Sequence, residues 1–280
     1  MVALLALGSS LVWGTSDFAG GLFAKRIAAV RVVAVAQIGG LLTMCVVLGV
    51  RVAQGVAIAD GPWHLYGALA GLTGAVGLVC FYAALSMGTM GVVSPIASMG
   101  AVVPVAAGLA TGDRIGVAVG IGLALMLFGV VLASGPELGG GAGRTPVLLA
   151  FVAAVAFGLS LFCMDRAAEV DVIPALWAMR IASVSALLLA WRFWPGGPVG
   201  ARVPRRDVPM IMLVGVGDLA ANALFSFAAA QGMVSVVSVL GSLYPVVTLI
   251  WARVLLDERL RPVQVAGVAA TLGGIALVVG

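Results

Sequence analysis

The chain has 280 residues, of which 62% are hydrophobic and only 9% are charged, with a net charge of +4 and a mean hydropathy of +1.21. A soluble domain carries roughly a quarter charged residues, so this composition excludes a soluble globular protein and predicts a chain whose solvent is lipid. Most arginines lie at the ends of apolar runs, which suits lipid headgroups and predicts no nucleic-acid partner.

In chain order, the sequence offers ten apolar runs long enough to cross a bilayer, which takes about 20 residues. Their expected limits are 2–24, 30–50, 64–87, 91–111, 115–135, 146–165, 172–194, 208–231, 234–255 and 261–280. The first run has no charged segment ahead of it and is long enough to span, so we expect it to be retained rather than cleaved as a signal peptide. The pattern predicts an all-α polytopic membrane protein with ten transmembrane helices.

The sequence also repeats itself at an offset of 144 residues. Nine of the 25 residues from 81 to 105 are identical to their partners at this offset, beginning with Phe81 and Phe225. We expect one copy at 1–136, a Gly-rich linker at 137–145 and a second copy at 146–280. Because five helices is an odd number, the second copy enters the membrane from the opposite side, which makes an inverted repeat. Such repeats build secondary transporters that hold substrate near the midplane.

Three short motifs carry a resemblance to a known family. They are the run WGTSDF at 13–18 in the first helix, Tyr244-Pro245-Val246 in the ninth, and LDERL at 256–260, where the ninth helix ends. With these motifs the whole chain resembles an EamA-type member of the drug/metabolite transporter superfamily. The resemblance implies two inverted five-helix bundles that move small metabolites, often outward, by alternating access. It also implies cytoplasmic termini and a bacterial cytoplasmic membrane.

We therefore expect a secondary active transporter of a small metabolite, amino-acid-like compound or drug, and export is the expected direction. An uptake carrier of the same fold, or a non-transporting membrane scaffold or enzyme, is the alternative. No catalytic motif or nucleotide-binding loop is present, so the chain is predicted not to be an enzyme and to need no cofactor. His64 is the single histidine, which excludes a two-histidine metal motif. The expected partners are the substrate, coupled protons and lipid, with no obligatory protein partner.

Four polar residues lie deep inside predicted helices, where ionisable groups are expensive and are candidates for function. They are Asp17, Arg180, Asp218 and Asn222. The two aspartates would bind a cationic substrate or a proton, because desolvation favours the protonated form of a buried carboxyl. Arg180 would hold an anionic group of the substrate or neutralise an aspartate. The alternative is a fixed Arg180–Asp218 ion pair that only ties two helices together.

Further candidates are weaker. Trp13, Ser16, Tyr82 and Tyr244 are candidate substrate contacts, since aromatic rings can hold organic cations. Pro245 predicts a kink, because a proline inside a helix removes a backbone hydrogen bond.

Charged residues cluster where the ninth predicted helix ends. Asp257 and Glu258 there are a candidate gate or interface, with a solvated helix end as the alternative. Most arginines fall in connections after odd-numbered helices, so the positive-inside rule predicts both termini outside, which is opposite to the family resemblance.

Overall fold

The computed structural model describes residues 1–103, 144–193, 203–231, 237, 240–257 and 259–279, with isolated positions between 116 and 132. The part of the chain so described is helical and holds no strand. The α-helices are α1 (Val2–Ala24), α2 (Ala29–Ala53), α3 (Trp63–Met87), α4 (Met90–Ser98), α5 (Thr145–Ala168), α6 (Val172–Phe193), α7 (Val208–Ala229), α8 (Tyr244–Leu256) and α9 (Pro262–Val279). A short 3₁₀ turn, Met99–Ala101, follows α4.

Six of these helices, namely α1, α2, α3, α5, α6 and α7, are long and apolar enough to cross a membrane. Large apolar side chains such as Leu4, Leu42 and Leu189 are exposed on their outer faces. Exposed apolar side chains at this density suit a lipid solvent, which helices with internally satisfied backbones can enter. The chain is therefore an integral, multi-pass membrane protein.

Glycines set the distance between the crossing helices. A Cβ atom at Gly215 of α7 would collide with the carbonyl of Ala36 in α2, and one at Gly71 of α3 would collide with the carbonyl of Met179 in α6. Small residues at helix crossings let backbones approach closely in membranes, where packing and not the hydrophobic effect drives association. The crossings bring the centres of α1, α2, α3, α5, α6 and α7 together.

Contacts between the first half of the chain (α1–α4) and the second half (α5–α9) recur at the 144-residue offset. The rings of Trp13 and Phe225 lie 5.7 Å apart, and those of Phe157 and Phe81, at the offset positions, lie 5.6 Å apart. Helix pairs behave in the same way, since α1 packs on α7 as α5 packs on α3. The offset seen in the sequence is thus also present in the packing.

The helix limits agree with the sequence except at three places. The predicted fourth helix is described as α4, the 3₁₀ turn and two further helical residues, and the rest of 91–111 lies outside the described residues. Most of the predicted fifth helix, 115–135, also lies outside them. In the predicted ninth helix a turn at 242–243 precedes α8, which begins at Tyr244. The ten-helix, two-repeat arrangement therefore stays a prediction.

Candidate functional site

A cavity lies between the two halves of the chain, and it holds about 720 Å³ of space including its opening. Every membrane-length helix contributes to its wall, as do α4, the 3₁₀ turn and the start of α8. Asp218 lies near the centre of α7, with about ten residues of the helix on each side. Small-molecule sites are mostly apolar, with a few convergent polar groups. This cavity has that character.

Asp218 is the hub of the polar side of the cavity. Arg180 Nη1 donates to its Oδ2 at 2.7 Å, and Gln37 Nε2 donates to the same oxygen at 3.3 Å. Trp13 Nε1 and Asn222 Nδ2 each donate to Oδ1 at 3.2 Å. The carboxylate thus receives donors from four side chains on four helices, which fixes its position. Charge-assisted bonds of this kind are the strong ones in a low-dielectric interior.

Arg180 is 1% exposed and is only partly satisfied by protein groups. Its Nη1 donates to Gln37 Oε1 as well as to Asp218. Its Nε and Nη2 atoms are buried and make no hydrogen bond within the described residues. A buried donor without a partner costs free energy, so these atoms are candidates for a further acceptor such as water or a substrate group.

Asp17 is the second carboxylate in the wall, and it faces a different set of groups. It is 5% exposed, and the buried Tyr82 hydroxyl hydrogen-bonds it. In the described part of the chain, the ion pairs include none to Asp17, whereas Asp218 is paired with Arg180. The cavity thus holds one compensated carboxylate and one whose described partner is a neutral hydroxyl. The second can exchange a proton or a cationic group without breaking an ion pair.

The wall is built from positions that correspond at the 144-residue offset. Six pairs of lining residues obey it: Trp13 and Phe157, Asp17 and Leu161, Gly74 and Asp218, Leu78 and Asn222, Ser98 and Ser242, Gly100 and Tyr244. Only one pair, the two serines, is chemically identical. The position equivalent to Asp17 is Leu161, and the position equivalent to Asp218 is Gly74. Each aspartate therefore has no acidic counterpart in the other half of the chain.

The structure brings most of the sequence candidates together but not all of them. Ser16 lies at the helix contact with Gly217 and is not part of the wall. Tyr82 lies behind the wall, where it binds Asp17. Tyr244 lines the cavity, and its hydroxyl has no partner in the described residues.

Two other candidates lie elsewhere. Pro245 lies in the first turn of α8, where a proline's missing N–H is tolerated, so a turn stands in place of the predicted kink inside a helix. Asp257 ends α8 in a left-handed conformation and pairs at 3.8 Å with Arg253 of the same helix, so it does not bridge the two halves. Glu258 lies outside the described residues.

Sequence reasoning missed two contributors, Gln37 and Ser183. Gln37 contacts both Arg180 and Asp218, and Ser183 donates to Gln37 Oε1 at 3.2 Å. The signal in the sequence was an amide near the middle of an apolar helix, which a search for charged residues alone passes over. The described residues include no cluster of histidine, cysteine and acidic side chains that could hold a metal ion.

A bundle of membrane-length helices around a central, mostly apolar cavity with a few convergent charged groups defines a multi-pass membrane protein. Comparison with known proteins matches part of the chain to a family. Residues 144–280 match the EamA-like transporter family. The second half of the chain therefore carries an EamA-like domain, and this match together with the exporter relative described below supports a membrane transporter rather than an enzyme.

One relative and one solved structure are informative. A stretch of 106 residues is 33% identical to a "Probable terminal-alkyne amino-acid exporter" of Streptantibioticus cattleyicolor, and it spans 37% of this chain and 34% of the relative. A crystal structure superposes on 99% of this chain and 95% of its own, with a TM-score of 0.68 at 18% identity. At that identity the likeness shows a shared fold alone.

Proposed function

We propose that the protein is a secondary active transporter that carries a small, amino-acid-like metabolite out of a bacterial cell by alternating access. The observation that carries this proposal is the central cavity, whose wall joins both halves of the chain and holds two carboxylates and one guanidinium. A charged group deep in a membrane protein is costly and is typical of a substrate or ion pathway. The exporter relative supports the outward direction and the substrate class.

The wall offers complementary groups for a molecule that carries both charges. Asp17 would receive an ammonium group, because no described basic side chain is paired with it. The unsatisfied N–H groups of Arg180 would receive a carboxylate. Apolar lining residues such as Leu161 and Met179 would surround the side chain. Because one cavity wall offers both an acceptor for an ammonium group and free donors for a carboxylate, it favours an amino-acid-like substrate over a purely cationic drug.

Alternating access needs two halves that can rock about a shared axis. The matched contacts at the 144-residue offset support two structurally related halves that enclose the site. Asp17 would also accept a proton when the substrate leaves, which would couple export to the proton gradient. A transporter of this design needs no nucleotide, so the gradient of substrate or protons drives it.

The test is charge movement in proteoliposomes adsorbed on a solid support, with a panel of amino acids, each with and without a pH gradient. We expect a substrate-dependent current in the wild type and its loss in Asp17→Asn. Asp257→Asn is the matched control, because that carboxylate is 91% exposed and outside the cavity. Exchange that moves no net charge would give no current, so tracer exchange of the same amino acids is measured in parallel. Silence in both assays across the panel would refute the proposal.

A further inference from the structure

Helix α2 meets the second half of the chain at three levels. Just before its start, Arg26 Nη2 lies 3.4 Å from Asp207 Oδ1. Near its centre Gln37 binds the Arg180–Asp218 pair, and near its end Arg51 binds Asp171 at 2.6 Å. The helix has 25 residues, so its ends are roughly 37 Å apart at 1.5 Å per residue. The outer two ion pairs therefore lie at opposite ends of a membrane-length helix, with the cavity between them.

The Arg51–Asp171 contact is tightly made. The two terminal nitrogens of Arg51 bind the two carboxylate oxygens at 2.6 Å each, in the bidentate geometry that is strongest for this pair. Asp171 also accepts from the Ala59 amide at 3.3 Å and from the Ile173 amide. Arg51 donates to the Ala57 carbonyl at 3.0 Å. The contact thus joins the end of α2, the α2–α3 loop and the start of α6.

The contact at the other end of α2 is loosely made. The Arg26 side chain is 54% exposed, and it reaches a single oxygen of Asp207. The second oxygen, Oδ2, is buried and has no hydrogen-bond partner in the described residues. Arg51 Nε at the other end is also buried without a partner in the described residues, so the ends differ in the ion pair itself: two bonds of 2.6 Å at Arg51 and one contact of 3.4 Å at Arg26. Of these two described ion pairs, the one at Arg51 is therefore the stronger link between the halves.

We propose that Arg51 and Asp171 form a latch that shuts one mouth of the cavity and breaks whenever the transporter opens to that side. The proposal rests on the proposed function, because alternating access requires the halves to part at each end in turn. Arg51 belongs to the first half and Asp171 to the second, so parting at this end moves one away from the other. The loose Arg26–Asp207 contact stands at the opposite mouth.

Accessibility of a cysteine in the cavity measures the latch without any substrate. The three native cysteines are replaced by alanine, and Leu161→Cys places a reporter in the wall. A membrane-impermeant maleimide is then added to inside-out or right-side-out vesicles. A second reporter, Gln54→Cys, is exposed beside Arg51 and identifies the side on which the latch lies.

The variants are chosen to separate the latch from folding. Arg51→Gln removes the ion pair, and Asp171→Asn removes the charge but keeps a good helix-capping side chain. Arg51→Lys keeps the charge. Arg166→Gln is the matched control, because Arg166 pairs with Glu169 at 3.3 Å within a single helix end and both side chains are exposed. Only monodisperse protein after size-exclusion chromatography is compared.

We expect Arg51→Gln and Asp171→Asn to label the cavity reporter roughly tenfold faster from the latch side, the shift produced by losing about 1.4 kcal/mol. Arg51→Lys and the Arg166→Gln control should label close to the wild-type rate. Unchanged labelling in both latch variants would overturn the proposal, as would an equal rise in the control. The labelling rate is measured without substrate. It therefore tests the latch even if the protein shows no transport, and the failure of one proposal can be told from the failure of the other.

Discussion

Removing the charge of Asp218 should destabilise the protein strongly, although Asp218→Asn changes the size of the side chain very little. Asp218→Asn leaves Arg180, which is 1% exposed, without a counter-ion inside the bundle. A guanidinium cannot shed its proton in a protein, so the charge stays. Breaking a buried ion pair from one side costs about 3–5 kcal/mol. For a chain of this size the apparent melting temperature should fall by roughly 10 °C.

The converse change should cost less. Arg180→Gln leaves a carboxylate that still accepts hydrogen bonds from Trp13, Gln37 and Asn222, so we expect a loss of about 1–3 kcal/mol. The double variant carries no net charge at the pair and should be more stable than Asp218→Asn alone. The comparison is a double-mutant cycle, which isolates the pair from its neighbours.

The assay is the fraction of detergent-solubilised protein that stays monodisperse after heating, measured for the wild type, both single variants and the double variant. Membrane proteins often unfold irreversibly, so all four are heated at one rate and compared directly. The reasoning would be refuted if Asp218→Asn melted within ~2 °C of the wild type, below one kcal/mol by the same scale. It would equally be refuted if the double variant were the least stable of the four.

Two further outcomes follow from the packing and from the charges. Gly215→Ala should disrupt the α2–α7 crossing and lower the melting temperature, because its Cβ would meet the Ala36 carbonyl. Gly49→Ala, which has open space around it, should leave the melting temperature unchanged. Equal melting temperatures for the two variants would contradict this. Burial raises the pKa of Asp171, but hydrogen bonds from Arg51 and the Ala59 amide hold that pKa below its ordinary value. Its stabilising effect is present above the ordinary aspartate pKa of about 3.9 and is lost as pH falls through the lower folded value. Wild type and Arg51→Gln should therefore differ in melting temperature at neutral pH and converge in acid, and a constant difference would contradict the pairing.

The sequence predicted the membrane class well, because long apolar runs follow from the energetics of desolvation. Asp17, Arg180 and Asp218 were found simply as ionisable groups in the middle of apolar runs. The structure places all three in the wall of one cavity. Gln37 was missed, because a neutral amide costs less to bury than a charge and did not stand out.

The positions of other side chains could not be predicted, because these helices are apolar on all sides. In a soluble protein, the polar residues of a surface helix mark its exposed face and so reveal which face is buried. A helix surrounded by lipid has apolar residues on both faces, so this signal is absent. Ser16 was therefore expected at the site but lies at a helix crossing. Pro245 was expected to kink a continuous helix. Its position in the first turn of α8 depends on where the preceding turn falls, which the local sequence does not specify.

Counterflow exchange of a radiolabelled amino acid into preloaded proteoliposomes tests the central claim most directly. Leu161→Trp fills the cavity from α5, whereas Leu159→Trp, two residues away on an exposed face of the same helix, leaves it open. The account predicts exchange by the wild type and by Leu159→Trp, and its loss in Leu161→Trp with the folded protein retained. Exchange by Leu161→Trp at the wild-type rate would show that the substrate does not pass through this cavity.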